Sequence, residues 1–143
     1  MASVLKVDTL TGVTTAGSIA ITGEGGSNTM QLQQGVAKAW SNYDQRSTLS
    51  HTSSFNRSSE TDEGSGNIKI TLASAMSDAT YVVTGLGHYV DSTENDLVPA
   101  IGLRRGVAKT STTYETQTAT ATWNGTAGAD VDAVMTVVHG DLA

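Results

Sequence analysis

WSNYDQRSTLSHTSSFNRSSETDEGSGNIKITLASAMSDATYVVTG, residues 40–85, is the stretch around which the rest of the chain is organised. Within it Ile68, Ile70 and Leu72 alternate with Lys69 and Thr71, the period of two that marks a strand with one dry face. A Gly64-Ser65-Gly66 turn precedes this run, so Asn67–Leu72 reads as one strand. Thr80–Thr84, with Tyr81, Val82 and Val83, reads as a second because β-branched and aromatic side chains suit a pleated surface.

Working back from this centre, Val36–Tyr43 also alternates, with Val36, Lys38 and Trp40 set against Ala37, Ala39 and Ser41. It reads as a strand, and a brief helix fits residues 30–34, which are good helix formers. Ser47–Asn56 is polar, with Leu49 and Phe55 as its large apolar anchors, and reads as an edge that feeds Phe55 into the core. Glu60–Gly66 reads as a solvated, carboxylate-rich hairpin tip, without the ligand spacing of a calcium loop.

Working forward, Gly85-Leu86-Gly87-His88 predicts a bend or bulge, and Asp91–Asp96 a second acidic loop. Pro99 confines Leu97–Arg104 to an edge strand, since proline has no N–H for a ladder. Ser111–Trp123 has the strongest period of two, with Tyr114, Thr116, Thr118, Thr120 and Thr122 on one face. That threonine face is expected to pack its methyls on a neighbouring subunit, and Trp123 lies on the other face. Asn124-Gly125 makes a tight turn. Val131–His139 is apolar on both faces, Met135 and Val137 opposing Val134 and Val138, which predicts a strand covered on both sides.

Many short strands, close-set turns and almost no helix define an all-β chain, read as an antiparallel β-sandwich of jelly-roll type. Its packing residues, in the core or against another subunit, are Trp40, Phe55, Ile68, Ile70, Leu72 and Tyr81. Val83, Trp123, Met135 and Val137 complete the set. This sandwich domain spans residues 30–143. Residues 1–29 read as an extended N-terminal docking arm, because glycines and small polar residues separate two β-like runs there. Its docking side chains are Leu5, Val7, Leu10, Ile19 and Ile21.

Composition narrows the functional classes. An apolar fraction of 38% with a single Phe implies a thin core, which gains by burying a face against copies of itself. Fourteen acidic and eight basic residues, net −6, argue against a nucleic-acid surface; Arg104-Arg105 is the one adjacent basic pair. Cysteine is absent, which removes disulfides and thiolate zinc sites. Neither a secretory leader nor a membrane-spanning run is visible, in keeping with assembly in a cytoplasm.

Catalytic patterns are missing. His51, His88 and His139 stand far apart, and no Gly-x-Ser-x-Gly occurs. Gly25-Gly26 is not followed by the Lys-Ser/Thr of a phosphate loop. We therefore read the chain as non-enzymatic, with no catalytic, cofactor-binding or metal residues. Asn56-Arg57-Ser58 and Asn124-Gly125-Thr126 match glycosylation sequons but carry no weight without a secretion signal.

Ser3-Val4-Leu5-Lys6-Val7-Asp8-Thr9-Leu10 resembles the start of many tailed-phage virion proteins, particularly fibre-like proteins of marine phages. Gln34-Gly35-Val36-Ala37-Lys38-Ala39-Trp40 resembles the step that follows that arm. Phe55–Gly66, then Ile68-Lys69-Ile70 and Ala75–Tyr81, is similar to their repeated sandwich module. The resemblance covers roughly the first 85 residues. It implies a structural virion protein, a homotrimer whose N-terminal arm attaches to a capsid or tail protein. Two placements follow: a tail-fibre or adhesin module binding a host surface glycan or receptor, or a capsid cement protein joining capsomers. The absence of a long shaft and a large tip weighs against receptor binding.

Overall fold

The computed structural model describes residues 4–12, 19–23, 26, 28–46, 48–88, 99–122 and 125–143. It divides into two compact units, Met1–Val36 and Ala37–Ala143.

In the first unit, residues 4–12 form no strand, although Val4–Val7 has the composition of one. The chain then makes a small hairpin of β1 (Ala20–Thr22) and β2 (Thr29–Gln31), with Ile21 opposite Met30. A single helical turn, α1 (Leu32–Gly35), follows directly, and the Leu32 N–H donates to the Ile19 carbonyl at 2.8 Å. Two three-residue strands bury too little to have a core of their own, and Ile21 and Met30 both remain exposed.

Among the described residues the second unit holds nine strands: β3 (Ala39–Asp44), β4 (Ser50–Phe55), β5 (Arg57–Asp62), β6 (Asn67–Leu72), β7 (Val82–His88), β8 (Pro99–Leu103), β9 (Thr113–Thr122), β10 (Gly125–Gly128) and β11 (Ala133–His139). One sheet has the order β4-β3-β11-β7, every pair antiparallel. In the other, β9 is central. Gln117 faces Asn67 of β6 on one side and Gly102 of β8 on the other, while Ala119 faces both Gly128 of β10 and Ala100 of β8. This register sets β6 and β10 end to end along one edge of β9, with β5 beyond β6 and β8 across. Pro99 opens β8, which among the described residues pairs with β9 alone, in keeping with its missing N–H.

The sheets meet face to face. Ala39, Tyr43, Val134 and Val138 from the first pack against Ile68, Ile70, Leu72 and Tyr114 from the second, with Met76, Tyr81 and Val131 closing the cluster. The threonine face of β9 lies inside this layer at Thr116 and Thr118, so for these two the expectation that they meet a neighbouring subunit is corrected. Thr116 and Thr118 are buried, and their hydroxyls stay there because each is partnered. Tyr43 Oη and Thr116 Oγ1 lie 2.8 Å apart, and Tyr114 Oη and Thr136 Oγ1 2.9 Å. Thr118 donates to Gln45 Oε1 at 2.9 Å or to the Ala129 carbonyl at 2.7 Å. A buried hydroxyl left without such a partner costs about 1–3 kcal/mol.

Three further readings change. The second central strand runs Val82–His88 rather than Thr80–Thr84, passing straight through the two glycines expected to bend it. Gly85 is required there, since a Cβ would lie 2.8 Å from the Met135 carbonyl and 3.0 Å from Ile101 Cδ1. Glu60 is not part of a solvated tip: its side chain is 2% exposed, paired with Arg57 at 2.9 Å and accepting from the Ser41 hydroxyl across the sheets. Phe55 does not enter the core; it is 53% exposed. The acidic loop Asp91–Asp96 and the residue Trp123 lie outside the described residues.

Between β4 and β5 the chain changes sheets in one residue, Asn56, whose φ of 53° is the sole positive value among the described non-glycine residues. Its side chain secures the corner. Nδ2 donates to the carbonyls of Lys38 (3.0 Å) and Ser74 (3.2 Å), and Oδ1 accepts the Ser74 N–H at 2.6 Å. Strands that switch sheets through such a bend are one way a sandwich closes its side. The amide is therefore a structural group, and a glycan on Nδ2 would take one of the two hydrogens it donates.

The β5–β6 hairpin ends in Gly66, with φ 71° and a would-be Cβ only 2.3 Å from the Thr118 carbonyl. Its N–H donates to Asp130 Oδ1 at 2.6 Å and its carbonyl accepts the Thr118 N–H at 2.7 Å. Gly66→Ala is expected to cost about 2–4 kcal/mol in urea unfolding, from left-handed strain and displaced hydrogen bonds. Gly64→Ala, also at positive φ but facing open space, should cost less.

Candidate assembly surface

The outward face of the sheet β4-β3-β11-β7 follows from register. Alternation buries Ala39, Ser41 and Tyr43 on β3 and Val134, Thr136 and Val138 on β11, so the residues between them point away from the core. One cross-strand row reads Phe55, Trp40, Val137, Thr84, and the next Ser53, Asn42, Met135, Leu86. Neither row contains an ionisable group. The flanking rows bring Asp44 and His88 at one end and His139 beside Val82 at the other.

Several of these side chains are unusually open for their size: Leu86 is 70% exposed, Val82 57%, Met135 40% and Trp40 38%. Of the packing residues read from the sequence, Ile68, Ile70, Leu72 and Tyr81 are buried and Val83 packs partly against the core. Trp40, Phe55 and Met135 instead lie on this outer face, with Val137 half-buried among them, so of the two placements read for them, core or another subunit, the chain's own core does not hold them. Strand β11 is apolar on both sides, as its sequence shows, yet among the described residues of its own unit only one side is covered. Trp40→Ala should accordingly cost the single chain about 1–2 kcal/mol in thermal unfolding, below the ~3–5 kcal/mol of a fully buried aromatic.

The other sheet presents a different outer face. Lys69 stands between Thr61 and Glu115, and Arg104 Nη1 bonds Glu115 Oε2 at 2.7 Å. Ser59, Thr71 and Thr113 form the next row. This is an ordinary solvated surface.

A cavity of about 280 Å³ lies between β7 and β8, walled by Val83, Gly85, Ile101 and Leu103 over Thr116 and Thr136. Both threonine hydroxyls are already engaged by tyrosines, and no acid, base or nucleophile other than hydroxyls lines it. Among the described residues no three His, Asp or Glu side chains are grouped to hold a metal ion, and no helix is long and apolar enough to cross a membrane. Of the arm residues, Leu5 is 79% exposed, Val7 and Leu10 are more than half exposed, Ile21 is exposed and Ile19 half-buried. They form no common site within the chain; the period-two spacing located them, but nothing in it names what they meet.

No protein-family profile, curated protein or solved structure matches the chain.

Proposed function

We propose that this protein is a non-enzymatic structural component of a tailed-phage virion, a homotrimeric surface appendage or decoration protein held to the particle by its N-terminal unit. The observation that carries the reading is the uncharged apolar outer face of β4-β3-β11-β7. Exposed apolar surface on this scale marks an association site rather than a solvated one. The apolar side chains left open along residues 4–12 support a second attachment, to a capsid or tail protein, through strand addition or a groove. The resemblance of the first 85 residues to fibre-like virion proteins supports the setting. Strand orders β4-β3-β11-β7 and β5-β6-β9-β8, with crossings between sheets after β4, β6, β7 and β10, favour a jelly-roll-like sandwich.

Copy number in purified virions, measured by quantitative mass spectrometry, tests the reading: many copies identify a decoration protein, few an appendage, and none removes the proposal. The double variant Leu5→Asp, Ile19→Asp is expected to keep its circular-dichroism spectrum and yet be lost from particles. Normal incorporation would remove the docking role of the arm. Glycan binding by the purified protein would move the assignment towards host attachment.

A further inference from the structure

We propose that the outer face of β4-β3-β11-β7 is the contact between copies of this chain, and that its occupant is the same face region of a second copy. The inference rests on the assembly reading above and gives it a location. Four strands about 4.8 Å apart and seven residues rising about 3.3 Å each make a face of roughly 19 by 23 Å. Allowing for its relief, that footprint comes near the ~600 Å² per partner at the low end of specific interfaces. Trp40, Phe55, Val82, Leu86 and Met135 alone leave on the order of 400–500 Å² of it apolar and uncovered. That is as large as the largest patch on a typical monomer.

Charge selects the partner. The chain carries a net −6, so most pairings of its surface with itself oppose like charges. The two central rows of this face, from Phe55 to Thr84 and from Ser53 to Leu86, hold no charge at all. This is the broad face on which copies meet without that penalty; the opposite sheet presents Lys69, Arg104 and Glu115. The face also complements itself. Its β4-β3 half offers flat rings, Phe55 and Trp40, and its β11-β7 half offers pliable aliphatic chains, Met135 and Leu86, that fit around rings.

Light scattering on the full-length protein tests this, with Phe55→Glu plus Leu86→Glu against the control Lys69→Glu on the opposite sheet. All three substituted side chains lie open in the single chain or on its outer face, so circular dichroism should show an unchanged fold. The wild type and the control are expected at a multiple of 14.8 kDa. The double variant is expected as monomer, its self-affinity reduced on the order of 100-fold or more. An oligomer indifferent to the double substitution would overturn the inference. So would a wild type that stays monomeric at about 100 µM, a concentration at which even weak specific pairs associate. Hydroxyl-radical footprinting of such a monomer at Trp40 and Met135 would then tell the chain's own N-terminal unit, which shields them, from a face left open for another protein; either result refutes self-contact. Incorporation into virions is a separate readout. A monomeric wild type that still enters particles defeats this interface and leaves the structural role standing, whereas an oligomer absent from virions does the reverse. A stable dimer keeps the interface and removes the three-fold arrangement.

Discussion

Raising the pH from 10 to 12 is expected to unfold the sandwich, with stability falling by up to about 2.7 kcal/mol per pH unit from two tyrosines alone. Burial raises Tyr43 well above the ordinary tyrosine range, against the lowering effect of its bond to Thr116; Tyr114 and Glu60 add to the rise. Burial likewise pushes Tyr114 up to about 12, opposed by its bond to Thr136 and assisted by Glu60. In the unfolded chain both ionise near 10. Below pH 10 each is neutral in both states and the full stability is present. Above it the unfolded state sheds protons that the folded state keeps, so stability is lost as the pH climbs through the folded values. Tyr81, pushed up to about 12 by burial, acts in the same direction. The loss summed to pH 12 is about 5 kcal/mol, comparable with the whole stability of many domains. Urea unfolding at a series of pH values checks it. The Tyr43→Phe, Tyr114→Phe variant should start lower, by about 1 kcal/mol for each lost hydroxyl pair, and fall less steeply. Tyrosinate absorbance rising near pH 10 without unfolding would show that the rings are open to water.

Asn56→Val is expected to cost about 3–5 kcal/mol, a large effect for a partly exposed position. A β-branched residue at φ 53° adds left-handed strain of about 1–2 kcal/mol, and the three amide hydrogen bonds to Lys38 and Ser74 go with the side chain. Asn56→Gly separates the two terms, since glycine accepts the backbone but makes none of the bonds, and should cost about half as much. Chemical denaturation of the two variants is the measurement. Equal losses would assign the whole effect to hydrogen bonding, and no loss in either would mean that the corner is held by its flanking strands.

Some of this was legible before any fold was known. The alternation of Ile68, Ile70 and Leu72 named the buried face of β6, and those three are buried. Pro99 marked an edge. The period of two in Ser111–Trp123 located β9 and separated its faces correctly, but assigned the threonine face to another subunit. The hydroxyls made that face look external. Inside, Tyr43 and Gln45 from a distant strand satisfy them, and sequence spacing carries no record of such a partner. Phe55 erred in the opposite sense: its ring reads as core, yet like Trp40, read as packing in the core or on another subunit, it sits one residue out of phase with the buried set of its sheet. Glu60 gave no signal beyond its place in an acidic run, since its burial depends on Ser41, nineteen positions earlier.

Local patterning determined that this chain is a set of short antiparallel strands with almost no helix, because the two-residue period of side chains is a property of each segment alone. It also determined that β11 is apolar on both sides. Only the tertiary structure decided which of those sides the chain covers itself, and hence that Trp40, Phe55, Leu86 and Met135 share one open face. The reason is geometric: strand order and register join residues dozens of positions apart, and a face becomes a surface only when its neighbours are known.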